Sequence, residues 1–143
     1  MRMSFVNPVE EIEMTKILVV DDDQSCRKLT ARVLSINGYS PVSAANGLEA
    51  LDALRREQID LVLLDLMMPG MDGLTFMHEM REHPEWGNVP VLVLSGVADL
   101  DFAEKAEESG VQGYLVKSRY SVEELLSKVR QHLARKRPHE HSN

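Results

Sequence analysis

Apolar residues along the chain fall into short runs, separated by longer stretches in which they recur every three or four positions. Lys16–Val20 (KILVV), Asp60–Leu64 (DLVLL) and Val91–Leu94 are near-continuous runs, the pattern of strands buried on both faces. Tyr39–Ala44 is a weaker strand candidate. Pro41 cannot donate to a ladder, which points to an edge position. Gly113–Val116 supplies a short last strand. Between these runs, Cys26, Leu29, Val33 and Ile36 recur at helical spacing over residues 24–37, and Gly38 is a helix stop. Asn46 with Glu49 opens a helix carrying Leu48, Leu51 and Leu54. A Pro/Gly-punctuated turn from Met67 to Gly73 leads into helical residues Leu74, Met77 and Met80. Two prolines and a glycine make His83–Pro90 a loop. A helix through Phe102, Ala103 and Ala106 ends at Gly110. Ser121 with Glu124 forms a capping box, opening a last helix with Val122, Leu125, Leu126, Val129 and Leu133 on one face.

Five strand–helix units in alternation imply an α/β fold, with a parallel sheet covered by helices on both faces. Right-handed crossovers and five strands favour a doubly wound parallel sheet of order 2-1-3-4-5, the flavodoxin-like arrangement. At 143 residues the chain suits one domain, expected over residues 16–135, with tails at 1–15 and 136–143.

Composition narrows the class of protein without naming it. With 43% apolar and 27% charged residues, the chain is of ordinary globular type. A single cysteine, Cys26, excludes an internal disulfide framework and fits a reducing compartment. No apolar run approaches the roughly 18 residues of a membrane span, and residues 1–16 lack a signal-peptide core. A cytoplasmic protein is the expectation. The net charge of −7 argues against a grip on nucleic acid through phosphates, but leaves room for a basic partner or a bound cation.

In an open parallel sheet, ligands bind beyond the carboxyl ends of the strands, where the strand order reverses. Here that point lies between the first and third strands. Asp21, Asp22 and Asp23 follow the first; Asp65 follows the third. Helix capping accounts for one acid, Asp23, and not for the rest. Two unit charges 4 Å apart repel by about 4 kcal/mol at an effective dielectric near 20, a cost that a cation among the carboxylates removes. All-oxygen ligands select a hard ion such as Mg²⁺. Beside such an ion, Asp65 can act as a nucleophile toward phosphorus and form an acyl phosphate. Ser95 ends the fourth run and Lys117 the fifth. Each is unremarkable alone, a turn serine and a solvated lysine. Together they complete a rim of groups that handle a phosphoryl group.

Five stretches carry or flank these residues: ILVVDDD (Ile17–Asp23), AANGLEAL (Ala44–Leu51), DLVLLDLMMPGMDG (Asp60–Gly73), PVLVLSG (Pro90–Gly96) and GYLVK (Gly113–Lys117). In this combination the sequence resembles the receiver domain of two-component response regulators over roughly Thr15 to Arg135. The resemblance implies that Asp65 is the phosphoacceptor. It implies that Asp22 holds Mg²⁺ directly, with Asp21 assisting and the backbone carbonyl of Met67 completing the protein ligands. Ser95 and Lys117 would contact the phosphoryl group, as would backbone amides such as those of Leu66 and Gly96. Tyr114 matches the switch aromatic that turns inward with Ser95. The donor would be a phosphohistidine of a sensor histidine kinase or phosphotransfer protein, or a small acyl phosphate. An output protein, or a second copy in a phosphorylation-linked dimer, would read the face around the last strand. Ser118 stands where the family usually has proline, and a cis Lys117–Ser118 bond would cost about 2.5–4 kcal/mol.

Two other classes fit parts of the pattern. Asp21-x-Asp23-x-Ser25 loosely resembles the motif of haloacid-dehalogenase-like phosphohydrolases with Asp21 as nucleophile, but no acid-bearing strand end follows Lys117. A phosphorylation-independent interaction module would not need all five key positions filled. The length leaves no room for a separate output domain, so the expectation is a stand-alone receiver or part of a longer protein. His139, Glu140 and His141 lie in a polar tail and are read as solvated.

Met67 and Val97 occupy the positions that tune hydrolysis of the acyl phosphate in the family, and neither side chain can hydrogen-bond an attacking water. Slow loss of the phosphoryl group is therefore expected. Met67→Asn should accelerate that loss severalfold in a decay assay, and an unchanged rate would contradict this role for residue 67.

Overall fold

A computed structural model describes residues 14–65, 73–95, 113–116 and 121–136. Five strands are present: β1 (Lys16–Val20), β2 (Ser40–Ala44), β3 (Leu61–Asp65), β4 (Val91–Ser95) and β5 (Gly113–Val116). All neighbouring pairs are parallel, in the order β2-β1-β3-β4-β5, as the sequence pattern predicts. The described helices are α1 (Gln24–Ile36), α2 (Gly47–Arg56), α3 (Gly73–Glu82) and α4 (Val122–Lys136). The helix expected through Phe102, Ala103 and Ala106 lies outside the described residues. So do Met67, Val97, Lys117, Ser118, residues 1–13 and residues 137–143, while Lys136, expected in the tail, is the last residue of the final helix.

The near-continuous apolar strands make sense because the sheet has a core on each face. Side chains alternate with period two. Leu18, Val20, Val62, Leu64, Val91 and Val93 join Leu51 and Leu54 of α2 and Phe76, Met77 and Met80 of α3. Ile17, Val19, Leu61, Leu63, Leu92 and Leu94 join Leu34 of α1 and Leu125, Val129 and Leu133 of α4. β2 is an edge strand, which is why Pro41 is tolerated there.

The helix starts follow the predicted chemistry. Asp23 caps α1, its Oδ1 accepting from the Cys26 amide at 3.1 Å. Asn46 caps α2 through the Glu49 amide at 2.8 Å, while Glu49 accepts from Ala45 rather than from Asn46. Ser121 and Glu124 form the full reciprocal box, at 3.1 and 2.9 Å. At the end of α1, Gly38 adopts φ +92°, and the Tyr39 amide reaches back to the Leu34 carbonyl at 3.0 Å. That left-handed turn is the stop a glycine permits.

Three expectations about faces and bounds are corrected. In α1 the buried residues are Thr30 and Leu34, whereas Leu29 and Ile36 are 64% and 72% exposed. A stripe centred on Leu34 with half-buried Cys26 and Val33 replaces the Cys26–Leu29–Val33–Ile36 stripe. Leu48 and Val122, second and first in their helices, are likewise exposed; in α2 the neighbouring Gly47 and Ala50 are buried instead. β3 runs one residue later than the apolar pattern suggests. Asp60 precedes it and clasps β1, its carboxylate accepting from the Lys16 amide at 2.9 Å and its amide donating to the Lys16 carbonyl at 2.9 Å.

The His83–Pro90 segment is a loop, tied down by Arg81, whose Nη1 donates to the carbonyls of Gly87 (2.9 Å) and Val89 (2.8 Å). Burial pulls the Arg81 pKa below its usual value. Trp86 is buried and stacks on His83, with ring centroids 3.8 Å apart.

The corrected α1 face is directly testable. Leu34→Ala should cost about 2–5 kcal/mol, in the range for buried leucines, and Leu29→Ala should stay within about 0.5 kcal/mol in chemical denaturation. Equal costs at both positions would contradict the observed orientation of α1.

Candidate functional site

The register of the parallel sheet sets which residues meet at its carboxyl rim. Val20 pairs with Leu64, so Asp21 and Asp65 each occupy the next position on adjacent strands. Asp65 pairs with Leu94, and Ser95 pairs with Val116, the residue before Lys117. No loop geometry is needed to bring the first two acids together; two hydrogen-bonded strands end side by side.

Asp21, Asp22 and Asp65 each present a carboxylate oxygen such that the three lie within 4.8 Å of one another. Asp21 and Asp65 are buried, 3% and 6% exposed, while Asp22 is open to solvent. Among the described residues, Asp21 is held from three sides. Its amide donates to the Ala44 carbonyl at 3.1 Å, continuing the β1–β2 ladder. Its Oδ1 accepts from the Asp23 amide at 3.0 Å, and its carbonyl accepts from Arg27 Nη1 at 2.7 Å. Asp23, the third acid of the segment, is committed to capping and stays out of the cluster.

Three acids at this separation, two of them shielded from water, repel strongly, and oxygen-only donors suit a hard divalent cation. The open Asp22 side gives such an ion access and leaves room for the waters that Mg²⁺ retains. The residues present therefore fit the group that the sequence implies. Of the other anticipated site residues, Ser95 is at the last position of β4 and Tyr114 is within β5; Met67, Val97 and Lys117 fall outside the described residues. Arg27 was not anticipated from the sequence. Its only signal there is a basic residue one turn into the helix that follows an acidic strand end.

The family model for the response regulator receiver domain matches residues 17–130. The chain belongs to that family, the receiver domains of two-component response regulators. It is 36% identical over 118 residues to sporulation initiation phosphotransferase F of Bacillus subtilis (strain 168), covering 82% of this chain and 93% of that protein. To response regulator MprA of Mycobacterium sp. (strain KMS) it is 39% identical over 125 residues, covering 87% of this chain and 53% of that one. It thus spans about half the length of some relatives and nearly all of another. Among solved structures, chemotaxis protein CheY4 of Vibrio cholerae superposes with a TM-score of 0.78 at 30% identity, covering 84% of this chain and 99% of that one. The match runs through the whole alternating domain, which leaves the phosphohydrolase pattern at Asp21 without support. No helix among the described residues is long and apolar enough to cross a membrane.

Crowding of the acids has a measurable consequence. In the absence of divalent cations, Asp22→Asn should stabilise the protein by on the order of 1 kcal/mol, seen as a higher thermal midpoint in chelator. A lower midpoint would contradict net repulsion at the cluster.

Proposed function

We propose that Asp65 is the phosphoacceptor of this receiver, with Mg²⁺ held by Asp21, Asp22, Asp65 and the backbone carbonyl of Met67. The reading rests on one observation above all: three carboxylate oxygens within 4.8 Å at the carboxyl rim of the sheet. When bound, the ion would neutralise the acids and the incoming phosphoryl oxygens. Asp65 supplies the nucleophilic oxygen. A P–O bond to its carboxylate forms as the P–N bond to a donor phosphohistidine breaks, and the imidazole keeps the electron pair. Burial of Asp65 shields the acyl phosphate from bulk water, and the side chains of Met67 and Val97 offer no hydrogen bond to a water that would hydrolyse it. Ser95 and Lys117, at or just past the ends of β4 and β5, serve the phosphoryl oxygens as hydroxyl donor and ammonium partner.

Transfer converts one negative carboxylate into a dianionic group. In this reading Ser95 moves toward the new charge, Tyr114 turns inward, and the population shifts between two arrangements of the β5-flanking face. A histidine kinase or phosphotransfer protein loads the site; an output protein, or a second copy of the chain, reads the altered face.

Incubation with acetyl phosphate and Mg²⁺, followed by intact-mass measurement, should show gain of one phosphoryl group. The gain should disappear in Asp65→Asn and on addition of chelator. A gain that survives Asp65→Asn would overturn the assignment of the acceptor.

A further inference from the structure

Burial fixes two of the three clustered acids, but not the third. Asp21 and Asp65 are enclosed, whereas the Asp22 side chain stands in solvent, so its aim depends on the backbone that carries it. That backbone is clamped from the next helix. Arg27, in the first turn of α1, reaches back six residues and donates from Nη1 to the Asp21 carbonyl at 2.7 Å. The bonded carbonyl belongs to the peptide unit whose amide nitrogen is that of Asp22, so the bond sets the plane from which the Asp22 side chain departs. The carbonyl lies beyond the last ladder bond of β1 and before the first bond of α1, which Arg27 itself makes through its amide to the Asp23 carbonyl at 2.9 Å. The guanidinium forms no ion pair among the described residues, despite three carboxylates at this end of the sheet. Among the described residues it makes a short, charge-assisted contact to backbone.

We infer that Arg27 is a positioning residue for the acid cluster, acting through the Asp21–Asp22 peptide to aim Asp22 at the cation. The inference rests on the metal-holding role proposed above. It makes a prediction opposite in sign to that of simple electrostatics. A cation beside a Mg²⁺ site repels the ion, so removing the Arg27 charge would tighten binding if charge were its whole effect. If positioning dominates, removing the side chain weakens binding, and partners one step behind metal ligands typically change affinity by roughly 10–100-fold.

Mg²⁺ titration calorimetry on the full chain separates these cases, using native protein, Arg27→Met, Arg27→Lys, Lys28→Met and Asp22→Asn. Lys28→Met removes a neighbouring exposed charge without touching the clamp. Positioning predicts an approximately 10-fold loss of affinity in Arg27→Met, partial recovery in Arg27→Lys and no loss in Lys28→Met. Thermal unfolding in chelator should change little in Arg27→Lys, which keeps the test valid if the methionine variant folds poorly. Unchanged or tighter Mg²⁺ binding by Arg27→Met, or an equal loss in Lys28→Met, overturns the inference while leaving the metal site standing. Absence of Mg²⁺ binding by the native protein, or native-like binding by Asp22→Asn, overturns the metal-site reading and the inference with it.

Discussion

Like charges held together by a hydrogen-bonded sheet are the constraint around which this molecule is arranged. Asp21 and Asp65 sit one residue past the Val20–Leu64 pair of two parallel strands, and Asp22 brings a third carboxylate within 4.8 Å. Nothing in the packing of α1–α4 requires acids there, and each one adds repulsion. The strands cannot separate to relieve it, because Leu18, Val20, Val62 and Leu64 are locked into one core and Ile17, Val19, Leu61 and Leu63 into the other. In the proposed reading, a cation held among the three carboxylates would offset that repulsion.

Local details serve the same arrangement. The Asp23 side chain is spent on the α1 cap, so the segment delivers two acids to the cluster and not three. The carbonyl of Asp21, between strand and helix, accepts from Arg27, and that bond fixes the peptide. At the opposite end of the sheet, the Lys16–Asp60 backbone clasp and the Lys16–Glu57 ion pair at 3.0 Å pin the starts of β1 and β3. Register at the rim follows from register at that end.

The sheet was legible in the sequence because fully buried strands leave an unbroken apolar signature that amphipathic patterns do not mimic. Its order followed from chain connectivity and handedness, and the acid cluster from strand ends. Faces of helices were less legible. In α1 the apolar residues Leu29 and Ile36 lie outside while Thr30 lies inside, so counting apolar positions chose a stripe rotated away from the observed one. Ends of elements were shifted where a polar residue belongs to the strand: Asp65 completes β3 in the ladder although its side chain belongs to the site. The buried His132, whose Nδ1 lies 2.8 Å from the Lys128 carbonyl, sits at helical spacing from Leu125 and Val129 but was hidden by its polar type, and the Arg27 clamp had no periodic signal to reveal it.

The proposed chemistry at the rim of the sheet requires the three carboxylates to act as one cation site. Crystals soaked in Mn²⁺, a stand-in for Mg²⁺ with an anomalous signal, give the most direct answer. One strong anomalous peak should lie within coordination distance, about 2.1–2.2 Å, of oxygens from Asp22 and Asp65, with Asp21 adjoining. Density for the ion elsewhere on the surface, with the three side chains turned apart and no peak between them, would contradict it.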